Sequence, residues 1–171
     1  MANVVLKRVS PENRDECLAL SVADSQQGLV ASNAKSLGEA EGNATFHPYA
    51  VYEARAPHQD EPRMVGFTMY EVLNGIGFIT RIMIDERYQR QGFGRAATAE
   101  VIQRLRQDPA VETIATSHLR HNDLAARLFA GLGFREWRPE WASDMPHERV
   151  LRLPEGDADP GASSDADQPR R

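Results

Sequence analysis

Two periods of hydrophobicity alternate along this chain, and the switches between them mark its elements. Residues 4–9, with Val4, Val5, Leu6 and Val9, predict a first strand. Ser10-Pro11-Glu12 then reads as a helix start, with serine as N-cap and proline in the first turn, for a helix reaching about Asp24. A shorter helix follows Ser36 and breaks at Gly42-Asn43. Strands are predicted over 50–54 and 64–73, joined by the polar, proline-containing loop 55–63, and Asn74-Gly75 turns the chain into a strand over 76–85. Phe93, Ala97, Val101 and Leu105 recur every fourth residue, the core stripe of a long amphipathic helix that Asp108-Pro109 ends. A strand over 113–117, a helix over 122–130 and strands over 134–138 and 148–153 complete the order βααβββαβαββ, an α/β chain without internal repeats.

The junction between the 76–85 strand and the long helix carries chemistry. Gln89-Arg90-Gln91-Gly92-Phe93-Gly94-Arg95 places two glycines at a helix N-terminus, where backbone can approach a ligand closely and open N–H donors favour an anion. Arg87, Arg90 and Arg95 add positive charge, so a diphosphate is the expected guest. A P-loop is excluded, because Gly94 is followed by Arg95-Ala96 rather than Lys-Ser/Thr. Gly92 to Ala97 does fit the dinucleotide pattern G-x-G-x-x-A. Its glycines, however, stand too far beyond Ile84, and the acidic residue expected about 20 positions on is missing. An ordinary strand-to-helix turn with glycines for packing is the remaining alternative.

Gln89, Gly92 and Gly94 match the Q/R-x-x-G-x-G/A motif of the GNAT superfamily of N-acetyltransferases, and Asn122-x-x-Ala125-x-x-Leu128-Phe129-x-x-Leu132-Gly133-Phe134 resembles that superfamily's next characteristic stretch. Ser32-Asn33-Ala34, Ala50-Val51-Tyr52, Val65-Gly66-Phe67-Thr68-Met69-Tyr70 and Arg81-Ile82-Met83-Ile84-Asp85 look like bacterial spermine/spermidine acetyltransferases, so the resemblance covers the chain to about Leu153. It implies a mixed twisted sheet of about six to seven strands with helices on both faces. It also implies acetyl-CoA as donor, its diphosphate at Gln89, Arg90, Gln91, Gly92, Phe93, Gly94 and Arg95. The pantetheine arm would pair with the backbone of Ile82, Met83 and Ile84, Asn122 would touch that arm, and Phe93 and Arg127 would border the phosphates and adenosine. By the same resemblance a backbone N–H near Ile84 would stabilise the oxyanion of acetyl transfer.

Composition fits one domain. The 171 residues are 41% hydrophobic and 26% charged, ordinary for a globular protein, with no apolar stretch long enough for a membrane span and no signal peptide after Met1. The single Cys17 makes no internal disulfide, and no His/Cys cluster has metal-ligand spacing. The expected setting is the cytoplasm. Of the net charge of −5, −3 belongs to the stretch after Leu153, where five carboxylates oppose Arg170 and Arg171. That stretch, 154–171, is poor in apolar side chains and is expected to be a disordered tail beyond a domain over 1–153. The mildly acidic body offers no basic face to nucleic acid.

Chemistry also sets demands on the acceptor. An alkylammonium of pKa about 10.4 lies about 3.4 units from neutrality, so freeing its lone pair at pH 7 costs about 4.6 kcal/mol. His118, His121 and Glu71 stand at strand ends as candidate bases. Where relatives carry a tyrosine that protonates the departing thiolate, this chain has Phe129, which leaves Tyr88, His121 or water as the acid. Glu39, Glu41, Glu53 and Glu71 are candidates to hold a cationic acceptor. A polyamine is the acceptor the resemblance suggests; another small amine, a peptide N-terminus, or a non-catalytic acetyl-CoA sensor are the alternatives. A homodimer is compatible with it.

Overall fold

A computed structural model describes residues 1–54 and 61–155 of the chain. Most of the 55–63 loop and all but the first two residues of the 154–171 tail lie outside the described residues. The elements are β1 (Val4–Arg8), α1 (Arg14–Leu18), α2 (Asn33–Glu41), β2 (Phe46–Glu53), β3 (Met64–Leu73), β4 (Ile76–Ile84), α3 (Phe93–Gln107), β5 (Thr113–Leu119), α4 (Asp123–Gly131), β6 (Arg135–Glu136) and β7 (Glu148–Arg152). The strands form one seven-stranded sheet in the order β1-β2-β3-β4-β5-β7-β6. Every pairing is antiparallel except β4 with β5. α3, the crossover between those two parallel strands, is the long helix the apolar stripe predicts.

Each face of the sheet buries its own cluster. On one, Phe93, Ala97, Val101, Ile102 and Leu105 of α3 and Phe129 of α4 pack with Val4, Leu6, Val51 and Ile79. On the other, Cys17, Leu20 and Leu37 from the α1–α2 region pack on Ala50, Tyr52, Phe67, Met69 and Met83. The alternation along β4 is broken once. Its register with β3 slips between Met69/Tyr70, where Arg81 and Ile79 are the partners and Thr80 is the extra residue. Such a bulge bends a strand and sharpens its twist.

Four elements depart from the sequence reading, among them the strand predicted over 134–138, which is only Arg135–Glu136. The first helix is five residues rather than fifteen. Asn13 Oδ1 accepts the Ser10 N–H (2.8 Å), making Ser10-Pro11-Glu12 a turn, and beyond Leu18 tertiary bonds outcompete helix propensity. There Ser21 donates its N–H to Asp85 Oδ2 (3.1 Å) and accepts the Glu86 N–H (2.9 Å), which draws the chain along the end of β4. The second helix begins earlier than Ser36, with Ser32 as N-cap accepting the Lys35 N–H (3.2 Å). β2 likewise begins at Phe46, with Pro48 near its start accepting the Val9 N–H (3.1 Å).

Candidate active site

β4 and β5 pair only as far as Ile79 and Thr116. The buried Thr116 hydroxyl donates to the Ile79 carbonyl (2.9 Å), closing the ladder, and the Thr80 bulge turns the rest of β4 away. Asp85 N–H bonds Val65 O (2.9 Å), which fixes the alternation of hydrogen-bonded pairs along β3 and β4. Ile82 and Ile84 therefore fall at non-bonded pairs, and their N–H and C=O groups face the gap where β5 has withdrawn. Ile84 O is occupied: Gln89 Nε2 donates to it (2.9 Å), and Gln89 also exchanges amide bonds with Gln26 (2.7 and 3.1 Å). The strand edge beside Ile82 and Ile84 is thus an open row of backbone donors and acceptors, able to take an extended ligand by β-pairing.

The loop after β4 is held rigidly. Asp85, 2% exposed, accepts the Ser21 N–H, the Arg87 N–H and the Arg87 guanidinium (2.7 and 3.2 Å). Burial by itself would raise this carboxyl, but those bonds win and hold it below the usual carboxylate range. Arg90 and Gly92 both take positive φ (61° and 85°), and Gly92 is the N-cap of α3. It has no side chain to cap with, so the first N–H groups of α3 stay open, as an anion requires. The three arginines expected beside the loop divide. Arg87 serves Asp85, Arg95 Nη1 donates to Gly131 O at the end of α4 (2.9 Å), and Arg90 is exposed with no bond among the described residues. Gln91 is exposed, whereas the Phe93 side chain lies in the core.

The splay opens into a cavity of about 1080 Å³, lined by Ile82 of the open edge and drawing its other walls from the α1–α2 region, β3, β4, β5, α4 and β7. Glu39 and Glu71 of the predicted carboxylates line it; Glu41 pairs instead with Arg14 (2.8 Å) and Glu53 with Arg63 (2.5 Å), both away from it. Within the cavity Glu39 is matched by Arg81 Nη2 (3.1 Å) and Lys35 (3.9 Å), and Glu71 accepts the Thr45 hydroxyl (2.8 Å). His118, Asn122 and Phe129 also face it, with Asn122 Oδ1 capping α4 at the Ala125 N–H (3.1 Å). His121 and Arg127 are exposed outside it, and Tyr88, which is not among its lining residues, packs its ring against the Arg63 and Arg87 guanidinium groups (4.8 and 5.2 Å). Three further lining residues escaped the sequence reading. Arg81 was visible as a lone charge in an apolar strand. Trp141, edge-on to Phe78 (6.2 Å), and Glu148, which accepts the Ser117 hydroxyl, gave no local signal.

Comparison with known proteins agrees with this arrangement. Residues 18–134 match the family described as acetyltransferase (GNAT) family. The spermine/spermidine N(1)-acetyltransferase of Bacillus subtilis is 29% identical over 141 residues, covering 78% of this chain and 88% of that protein. Among solved structures, the ribosomal-protein-S18-alanine N-acetyltransferase of Escherichia coli superposes with a TM-score of 0.63 at 17% identity, over 94% of this chain and 99% of that one. The spermidine N-acetyltransferase of Vibrio cholerae, solved with CoA and spermine, gives 0.63 at 13%, over 88% and 93%. Parallel strands that part after four rungs, an uncapped helix start beyond them and a matching family model over two thirds of the length leave one assignment: the chain belongs to the GNAT acetyltransferase family and is an N-acetyltransferase with acetyl-CoA as its cosubstrate.

Proposed function

We propose that this enzyme acetylates a primary amine of a polyamine such as spermidine or spermine, by direct attack on the thioester. The observation that carries the reading is the pair of carboxylates, Glu71 and Glu148, that line the cavity from opposite sides of the splay. Each has one oxygen without a partner among the described residues. Two unneutralised carboxylates in one cavity suit a chain with ammonium groups at intervals. Glu39 contributes less, because Arg81 and Lys35 already face it. On the donor side, the open N–H groups at Gly92–Gly94 suit the diphosphate of acetyl-CoA, and the free edge at Ile82 and Ile84 suits the amide-bearing arm. The Ile84 N–H is then the donor for the developing oxyanion. The named relatives from Bacillus subtilis and Vibrio cholerae support the choice of a polyamine.

Arg81 favours a second reading. Its guanidinium lines the cavity, so an acceptor bearing a carboxylate beside its amine would find a counter-ion there in competition with Glu39. Steady-state release of CoA thiol with a panel of spermidine, spermine, monoamines, amino acids and short peptides separates the two. The polyamines should give the highest kcat/KM. Preference for an amino acid or peptide would replace them with the carboxylate-bearing acceptor.

A further inference from the structure

The reaction needs a group to take a proton from the amine and one to return it to sulfur, and the tyrosine expected for the second task is Phe129. Beside Phe129 stands His118. Its ring lies nearly parallel to that of Phe129 (20°, centroids 6.5 Å apart), and Phe129 is backed edge-on by Phe134 at 5.4 Å. His118 Nδ1 is 2.8 Å from the Leu119 carbonyl. A carbonyl can only accept, so Nδ1 carries the hydrogen and, in the neutral ring, Nε2 carries the lone pair. The residue is only 7% exposed. Yet Nε2 has no hydrogen-bond partner among the described residues and is not sealed from solvent, the sealed unpartnered side-chain atoms there being Arg81 Nε and Arg104 Nε. His118 lines the cavity together with Asn122, Ala125 and Phe129.

The geometry points to His118 as the catalytic residue that carries the proton from amine to thiolate, an inference that rests on an amine being the acceptor. The ammonium gives one proton to solvent; the lone pair of the neutral amine then forms the C–N bond to the acetyl carbonyl while a second N–H proton passes to Nε2. The C–S bond then breaks with its electron pair on sulfur, and the imidazolium returns the proton to that sulfur, leaving neutral His118, N-acetylated product and CoA thiol. Imidazole suits both halves because histidine ordinarily titrates near neutrality. The charged groups that β7 brings alongside are Arg149, the register partner of His118 on the same face, and Glu148, which lines the cavity from the opposite face with Ser117. α4 presents only Ala125 and Phe129 of its cavity-lining residues, with no titratable group.

His118→Asn tests this, because the asparagine amide can replace Nδ1 at the Leu119 carbonyl while removing Nε2. With the best acceptor of the panel, kcat/KM at pH 7 should fall by about 100-fold or more. Affinity for acetyl-CoA by calorimetry and the melting temperature should stay near wild type. Adding Phe129→Tyr to that variant should recover part of the loss, and imidazole in the buffer should partly rescue His118→Ala. Retention of kcat/KM within threefold in His118→Asn would overturn the proposal. So would loss of activity with matching loss of acetyl-CoA affinity and stability in both variants and no rescue, which would make His118 a packing residue. Because the best acceptor is used whatever its class, an acceptor that is not a polyamine revises the functional reading and leaves this comparison intact.

Discussion

The side proposed for the acetyl donor and the side proposed for the acceptor are built by opposite means. Between Ile82 and Arg95 the proposed working groups are backbone: an unpaired strand edge, a glycine N-cap at φ 85° and the uncapped first turn of α3. Across the splay they are side chains, Glu39, Glu71, Arg81, His118 and Glu148, drawn from four strands and a helix. A backbone site tolerates changes of side-chain identity and fails when the main chain moves. A side-chain site does the reverse, so substitutions on the two sides should differ in what they damage.

The largest effect is expected at Gly66, opposite Ile84 in the β3–β4 register. An added Cβ would lie 2.4 Å from Met83 O and 2.7 Å from Ile84 Cδ1, so Gly66→Ala must push β4 aside. It should cost about 3 kcal/mol in denaturant unfolding and weaken acetyl-CoA binding in parallel. Unchanged stability would mean that the strand edge is not rigid. Asp85→Asn comes next, at about 2 kcal/mol for weakening charged hydrogen bonds to Ser21 and Arg87. Since the folded carboxyl titrates below its unfolded value of about 3.9, its stabilisation is complete above that pH and is lost as pH falls through the lower folded value. Wild type should therefore lose stability more steeply than Asp85→Asn below about pH 4, as thermal melts across that range would reveal.

Gly94→Leu should weaken acetyl-CoA about tenfold by calorimetry, about 1.4 kcal/mol. Gly94→Ala should not, because a Cβ there meets nothing closer than Ile84 Cγ1 at 3.7 Å. Smallest of all, Glu71→Gln and Glu148→Gln should each raise KM for spermidine about fivefold, in line with about 1 kcal/mol for a solvent-accessible ion pair. Neither should alter acetyl-CoA affinity or melting temperature. A shift in acetyl-CoA affinity in either would dissolve the division between the two sides.

The same division explains how much the sequence could reveal. The loop proposed for the donor is contiguous, and its glycines, the β-branched run before it and the four-residue stripe after it are local signals, so the loop's place between strand and helix, the crossover helix and the sheet are legible as structure. The side proposed for the acceptor is assembled by the fold. Glu148 reaches the cavity because β7 pairs with β5 out of chain order, and no local pattern distinguishes it from Glu41 or Glu53, which meet arginines elsewhere. The first helix was overread for a related reason, its continuation being decided by bonds to Asp85 and Glu86 more than 60 residues away.

The extra residue at Thr80 acts on β4 as an inserted letter acts on a reading frame. Before it, odd-numbered residues such as Ile79 face the α3–α4 core; after it, the even-numbered Ile82 and Ile84 do, and Arg81 and Met83 turn to the face that holds α1 and α2. Deleting Thr80 would close the bulge and leave Arg81 opposite Met69 and Ile82 opposite Thr68 on their present faces, so the bend would go and the facing would stay. The frame is lost only when a residue is added or removed within 81–84, which turns everything beyond the change to the opposite face of the sheet.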